Sequence, residues 1–327
     1  MLAAFYTRQG PATEVFTVGE QPAPQPGAGE VLVRVTASGV NPSDYKVRRG
    51  GFGRALAYPL VIPHSDGAGV IEAVGPGVPT GRVGERVWLW NAQWNRPHGT
   101  AAQYIALPSA QAVRLPEGVS EAEGACLGIP AITAFHSVLQ AGITPGQAVL
   151  VAGGAGSVGH YAIQFAKHLG ATVITTVSTE EKAAHARKAG ADHVVRYRDE
   201  DVGARVKVLT GGKGVDAVIE MDFTANLPLY PHCVKAGGTI VVYGMGSQEA
   251  NVPTFWFMRN RITLRFVYIY EMTEDERNTV TRKLDALLAE GALQHTVGLR
   301  LPLADIARAH DLVEQGQVLG HVVLDIP

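Results

Sequence analysis

The sequence predicts an α/β protein in which a β-rich domain carries an inserted, doubly wound parallel sheet. Three patterns predict it. Residues 1 to about 125 alternate apolar and polar side chains in short runs broken by Pro and Gly, as strands joined by tight turns do. From Ala148 to Tyr270 strand-like and helix-like segments alternate, which suits parallel strands joined by helices. The tail then gives helices and a last strand, so it is read as rejoining the first domain.

In chain order, the first strands are expected at Ala3–Tyr6, Val15–Val18, Glu30–Ala37, Gly67–Val74, Arg86–Leu89 and Ala102–Ala106. Val31, Val33 and Val35 share one face of the third. A short helix is expected over Asp44–Arg49, where Asp44 and Arg48 stand four apart and would form an ion pair. Ser120-Glu-Ala-Glu123 can cap a helix running through Ala125 and Leu127, and another helix covers Ala131–Ala141 before Gly142. Further strands follow at Ala148–Ala152, Thr172–Val177, His193–Tyr197, Ala217–Met221, Thr239–Tyr243 and Ile262–Tyr270. Helices start at Ser157 and cover Glu180–Ala189 and Asp201–Thr210, and the expected spatial strand order is 3-2-1-4-5-6. Helices near Glu274–Glu290 and Leu303–Gly316 precede the last strand, His321–Asp325. The domains are therefore drawn as 1–125 with 271–327, and 126–270.

The most informative stretch is Val149 to Lys167. An apolar run enters a turn with Gly154, Gly156 and Gly159 in G-x-G-x-x-G spacing, and an amphipathic helix leaves it. Gly154 would permit the tight turn, Gly156 the approach of a pyrophosphate, and Gly159 close packing of helix on strand. Ala155, Ser157 and Val158 complete the loop, whose helix N–H groups would face the phosphates. Preceded by one strand and followed by another, the turn reads as a Rossmann dinucleotide site.

The end of the second strand selects the dinucleotide. An NAD site places Asp or Glu there for the ribose hydroxyl. Here Ser178 stands in that place, with Lys182 one turn on, a hydroxyl donor and a cation suited to the 2′-phosphate of NADP(H). Ser178 can also be the helix N-cap, with Glu181 completing a capping box. Glu180 and Glu181 suit a phosphate only if they point away.

Bulk properties narrow the function further. At 327 residues the chain is long enough for two domains and a large core. With 46% hydrophobic and 18% charged residues and a net charge of −2, it has no long-range attraction to nucleic acid or anionic membrane. No apolar run approaches the roughly 20 residues of a membrane span. The opening residues read as a strand rather than a secretory leader. Cys126 and Cys233 make neither a disulfide framework nor a metal cluster, so a reducing cytoplasm is the expected setting.

Three further segments accompany the glycine turn in order: Gly39-Val-Asn-Pro-Ser-Asp-Tyr-Lys-Val-Arg-Arg-Gly50, His64-Ser-Asp-Gly-Ala-Gly-Val-Ile-Glu-Ala-Val-Gly75 and Gly128-Ile-Pro-Ala-Ile-Thr-Ala134. Almost end to end, the chain resembles the zinc-independent quinone oxidoreductases, the zeta-crystallin branch of the medium-chain dehydrogenase/reductase superfamily. The resemblance implies a GroES-like catalytic domain around the Rossmann domain. It also implies NADPH as cofactor, a quinone as acceptor, and no zinc. Zinc alcohol dehydrogenases of the superfamily have Cys where Asn41 stands and Glu after the His at position 64, whereas this chain has Ser65 and Asp66 there. A catalytic zinc needs about three such ligands. A satisfied buried His64 is the expectation.

The resemblance also assigns site residues. Asn41 would meet cofactor or substrate, or else simply shape the turn before Pro42. Thr133 would lie near the nicotinamide carboxamide, or bond its own helix backbone. Tyr197 would run along the adenosine phosphate end, or pack at a strand end. Asn226 and the turn Gly244-Met245-Gly246-Ser247 close the fourth and fifth strands, where ligands sit in such sheets. Phe266, Val267 and Tyr268 would flank the nicotinamide, or lie in the core or at a subunit interface.

Known relatives line the quinone pocket with tyrosines at the positions of Lys46 and Phe52, which therefore join Trp90 as pocket candidates in a stretch that also holds Trp88 and Trp94. No acid or base is required, because the cofactor carries the chemistry. Reduction of an α,β-unsaturated aldehyde or ketone is the alternative enzyme, and a non-catalytic structural or RNA-binding role the alternative class. The strand Ile262–Tyr270 could be a sheet edge that pairs with its two-fold copy, so a homodimer is expected.

Overall fold

The computed structural model describes residues 1–53 and 55–327, with the side chain of Phe52 outside the described set. In chain order the molecule forms β1 (Leu2–Phe5), α1 (Ala12–Val15), β2 (Thr17–Glu20), β3 (Glu30–Val40), α2 (Pro42–Arg48), β4 (Asp66–Val74), β5 (Arg86–Leu89), β6 (Tyr104–Pro108), β7 (Ala112–Arg114) and α3 (Glu121–Gly124). A π-helical turn, Leu127–Ala131, leads into α4 (Ile132–Gln140). There follow β8 (Ala148–Val151), α5 (Ser157–His168), β9 (Thr172–Val177), α6 (Glu180–Lys188), β10 (His193–Arg196), α7 (Val202–Leu209) and β11 (Val215–Glu220). Then come α8 (Phe223–Asn226), α9 (Tyr230–Cys233), β12 (Val234–Val242), α10 (Thr254–Asn260), β13 (Thr263–Phe266) and α11 (Glu274–Ala289). The chain closes with β14 (Val297–Pro302), α12 (Ile306–Glu314) and β15 (His321–Asp325).

Two units result: Met1–Pro130 with Asp285–Pro327, and Ala131–Leu284. The first is built on a seven-stranded sheet ordered β14-β15-β3-β4-β5-β7, with β6 also on β3. Strand β3 is its axis. Its whole length pairs with β4, while its other edge is shared by β6 at Glu30–Arg34 and β15 at Ala37–Val40. Val31, Val33 and Val35 are buried with Ile71, Val87, Leu89, Ile105 and Leu107 in one core. The period-two alternation thus does what it should, turning one face inward.

The second unit is a six-stranded parallel sheet ordered β10-β9-β8-β11-β12-β13. This is the doubly wound order expected from the sequence, with β13 at the edge. Among the described residues no helix is long and apolar enough to cross a membrane.

Several expectations need correction. Ala12–Val15 is helical and the second strand starts at Thr17, because Pro11 opens a helical turn. The helix from Glu121 stops at Gly124, and Pro130 inside the next turn forces it into π geometry. The strand expected to run to Tyr270 stops at Phe266, because its partner β12 ends at Val242 and Val267 N–H makes the last bond to that carbonyl. The stretch 271–284 belongs with the second unit. There Glu276 on α11 accepts from Gln140 Nε2 at 3.4 Å, and Gln140 accepts from Arg265 at 2.8 Å.

In the glycine turn the chain packs too closely for side chains at two of its glycines. The left-handed residue is Gly153 (φ 66°), not Gly154. A Cβ on Gly154 would lie 2.1 Å from Thr175 Oγ1, and one on Gly159 would lie 2.3 Å from the Gly153 carbonyl. Gly159→Ala should therefore destabilise the second unit by about 3 kcal/mol, the upper range for overpacking. Urea unfolding followed by circular dichroism would measure it, and a loss under about 0.5 kcal/mol would show that the turn yields.

Candidate cofactor and substrate site

In the second unit, β8 delivers the chain into the glycine turn and α5 carries it away. Gly153 N–H donates to Thr176 Oγ1 at 3.1 Å and Gly154 N–H to the Thr176 carbonyl at 3.2 Å, while Thr175 Oγ1 donates to the Val151 carbonyl at 2.7 Å. Those bonds pin the turn to β9. No side chain caps α5, and its first internal bond is His160 N–H to the Gly156 carbonyl. The N–H groups of Ser157, Val158 and Gly159 therefore point off the helix start with the positive end of its dipole. Gly156 is exposed, and a Cβ on it would meet only the Gly153 carbonyl, at 3.4 Å. Ala155 beside it is buried. The space over Gly156 is open and lined with donors, which is what a pyrophosphate needs.

The cap of α6 is Thr179, whose hydroxyl accepts from Lys182 N–H at 3.3 Å, and not Ser178 as the spacing suggested. Both residues are cap formers, and the backbone enters the helix one residue later. Ser178 is left half-buried at the end of β9, and Lys182 is half-buried one turn on. Glu180 pairs with Arg187 at 2.6 Å and lies 3.9 Å from Arg196, so its charge is compensated. Tyr197, just past β10, is 51% exposed.

At the ends of β11 and β12 the sequence pointed to Asn226 and the Gly244–Ser247 turn, but the organising residues are Glu220 and Asp222. Glu220 is buried and accepts from Asn226 Nδ2 at 2.8 Å, from Asp222 N–H at 2.6 Å and from Tyr230 OH at 3.0 Å. Burial raises its pKa above the usual carboxylate range. Asn226 lies on α8 rather than at a strand end, and its amide is committed to Glu220. Asp222 accepts from Gly246 N–H at 3.0 Å and from Thr224 at 3.0 Å, tying the two loops together. Gly244 is required because a Cβ would strike the Met221 carbonyl at 2.1 Å. Met245, Gly246 and Ser247 are exposed, as are Phe266 and Tyr268, with Val267 half-buried between them. Thr133 is buried on α4 with its hydroxyl unpartnered, the kind of group a ligand amide satisfies.

In the first unit, Asn41 opens α2 between two buried carboxyls. Its N–H donates to Asp44 Oδ2 at 2.7 Å, and its Nδ2 donates to Asp66 Oδ2 at 2.7 Å. Asp66 also accepts from Ile129 N–H at 2.8 Å. The expected Asp44–Arg48 pair does not form. Asp44 is the capping-box partner of the N-cap Asn41, and the fully buried Arg48 reaches Glu314 at 2.9 Å, a partner 266 residues away. Burial pushes the Asp44 carboxyl up to about 7, and Asp66 well above its usual value.

Trp88 is fully buried, Trp90 is 5% exposed with its indole near the Ala110 carbonyl (3.4 Å), and Trp94 is half-buried. Trp88 is core. Lys46 is half-buried on α2, and the Phe52 side chain lies outside the described residues.

A glycine turn that opens an uncapped helix at the carboxyl ends of a doubly wound sheet is the architecture of a dinucleotide-binding domain. The family described as zinc-binding dehydrogenase matches residues 157–286, and the alcohol dehydrogenase GroES-like domain matches residues 27–117. The chain is 33% identical to the 2-haloacrylate reductase of Burkholderia sp., over 99% of this chain and 98% of that protein. It is 32% identical to the quinone oxidoreductase of Rattus norvegicus, over 92% of this chain and 90% of that protein. Among solved structures, it is similar to Escherichia coli quinone oxidoreductase complexed with NADPH (TM-score 0.89, 27% identity, 99% of this chain and 100% of that one). It is also similar to an NAD-dependent alcohol dehydrogenase (TM-score 0.91, 30% identity, 100% of both chains). The chain belongs to the medium-chain dehydrogenase/reductase superfamily, and it is an enzyme of the oxidoreductase class.

The Asp44 carboxyl gives a test of the site's electrostatics. Its pKa is raised in the fold, so the stability it contributes is full below the unfolded value of 3.8 and is lost as pH rises towards about 7. Asp44→Asn keeps an acceptor for Asn41 N–H without the charge. Its Tm relative to wild type should therefore rise from about pH 5 to about pH 8. A pH-independent difference would mean that Asp44 ionises normally.

Proposed function

We propose that this enzyme takes reducing equivalents from NADPH, without zinc, and delivers them to an electron-poor acceptor, a quinone in the first instance. The observation that carries the cofactor choice is Ser178: with Thr179 as the cap and Glu180 paired to Arg187, the Ser178 hydroxyl and Lys182 are left for a 2′-phosphate. Ser157, Val158 and Gly159 N–H would hold the pyrophosphate, and Thr133 the carboxamide. Bound there, the cofactor supplies hydride chemistry, while this chain's residues orient it and exclude water. The solved relative with NADPH supports the reading, and the NAD-dependent one makes NADH the necessary control.

The metal-free reading rests on the donor set. His64 Nδ1 is 2.8 Å from Ser38 Oγ and its Nε2 is 2.9 Å from His310 Nε2. Both ring nitrogens are committed, Asp66 is held by Asn41 and Ile129, and Asn41 replaces a thiol. These residues do not fit a catalytic zinc, which needs about three available donors and an open position.

Asn41, Lys46 and Trp90, all in the first unit, are the proposed substrate-pocket residues. The 2-haloacrylate reductase relative favours a second reading, reduction of an activated carbon–carbon double bond. Nicotinamide absorbance at 340 nm, with a chelator present and NADH run beside NADPH, separates the readings. Turnover of ortho- or para-quinones supports the first, turnover of an enal or a haloacrylate alone supports the second, and faster turnover with NADH overturns the Ser178 assignment. Gly156→Asp puts a carboxylate in open space and should fold, yet raise the NADPH Kd by about 100-fold, or roughly 2.7 kcal/mol. Unchanged binding would remove the cofactor site.

We also propose a homodimer, formed through the β13 edge. Phe266 is 68% exposed there, and Phe255 (75%) and Met258 (72%) on α10 are exposed too. Light scattering at micromolar concentration should give twice the 34.7 kDa chain mass, and a monomer mass would exclude it.

A further inference from the structure

In the first unit a line of buried polar side chains runs from Arg48 to the Asp66 backbone, and its chemistry fixes every proton on it. Thr100 Oγ1 lies 2.5 Å from the Asp66 carbonyl, which can only accept, so the threonine hydroxyl donates there. Ser38 Oγ lies 2.7 Å from Thr100 Oγ1, whose single proton is used, so Ser38 donates. His64 Nδ1 lies 2.8 Å from Ser38 Oγ and must therefore donate to it. A neutral His64 then has a bare Nε2, which accepts from His310 Nε2–H at 2.9 Å. That leaves His310 Nδ1 as the acceptor for Arg48 Nε–H at 3.4 Å, from a group that can only donate.

A donor-only cation at one end and an acceptor-only carbonyl at the other leave one proton arrangement. Both imidazoles are neutral, His64 as the Nδ1–H tautomer and His310 as Nε2–H. Burial acts in the same direction, holding His64 down to about 3 and His310 well below its ordinary value, with Arg48 opposing a second charge. The backbone shows how strongly the ring is held. His64 has φ 79°, a left-handed conformation that is strained for a non-glycine residue and persists only where its surroundings over-determine it. Thr100 N–H donates to the His64 carbonyl at 3.1 Å, closing the loop around the same residue.

We infer that His310, contributed by the C-terminal helix α12, is a positioning residue: it sets the tautomer of His64 and, through Ser38 and Thr100, fixes Asp66 and the Asn41 amide that Asp66 holds. For its effect on turnover the inference rests on the proposed reading of Asn41; for the tautomer it does not.

The test is long-range proton–nitrogen NMR of histidine-labelled full-length protein, beside steady-state kinetics. The wild type should show His64 protonated on Nδ1 and His310 on Nε2, both neutral from pH 8 to pH 5. His64 protonated on Nε2, or either ring cationic at pH 7, would overturn the inference. His310→Phe removes the donor; it should abolish the hydrogen-bonded signature of His64 Nε2 and lower kcat about tenfold, with the NADPH Kd unchanged. His310→Gln presents an N–H to His64 and should restore the His64 signature and most of kcat. An unchanged kcat in the Phe variant, or no recovery in a folded Gln variant, would reduce His310 to a packing residue and overturn the inference. If the wild type reduces no acceptor, the functional reading fails while the spectra still decide the tautomer.

Discussion

The second unit depends on one close approach of backbone to backbone. Helix α5 lies so near the turn before it that the Gly159 α-carbon faces the Gly153 carbonyl with no room for a methyl group. That contact sets the angle at which the helix leaves the sheet, and hence where its unbonded N–H groups point. Thr175 and Thr176 hold the other side of the turn to β9, so one strand fixes both the turn and the start of the segment bearing Ser178. Steric exclusion at Gly154 and Gly159 and open space at Gly156 are one arrangement seen from opposite sides.

The first unit is organised by polar rather than apolar constraint around Asn41. Two carboxyls hold its backbone and side-chain N–H groups, and both are so well buried that ionisation is opposed. Buried polar groups placed this way specify one geometry strongly, since any slip leaves a buried donor or acceptor unmet.

What was legible in the sequence follows from the range of the interaction. The glycine spacing, the strand order and the buried His64 were readable, because a turn and an apolar period are local. The identity of the α6 cap was not, because Ser178 and Thr179 are both competent and the path of β9 decides. Arg48 was misassigned to Asp44 because an (i, i+4) partner is visible in sequence and Glu314 is not. Glu220 and Asp222 were passed over for the same reason: their partners Tyr230 and Gly246 lie on other elements. The end of β13 was set by the length of its neighbour, which no propensity of Val267 or Tyr268 encodes.

The pairing of β15 has a consequence for the order of assembly. Ser38, Gly39 and Val40, the residues leading into Asn41, find their edge partners in Leu324, Val323 and Val322. These partners lie beyond residues 131–284, a continuous stretch that can collapse as soon as it emerges from the ribosome. Until β15 arrives, the edge of β3 beside Asn41 is an open template for any extended peptide, and the long loop that must close to fill it makes the step slow. The unit bearing the glycine turn can therefore complete first, and the unit bearing Asn41 waits for β15.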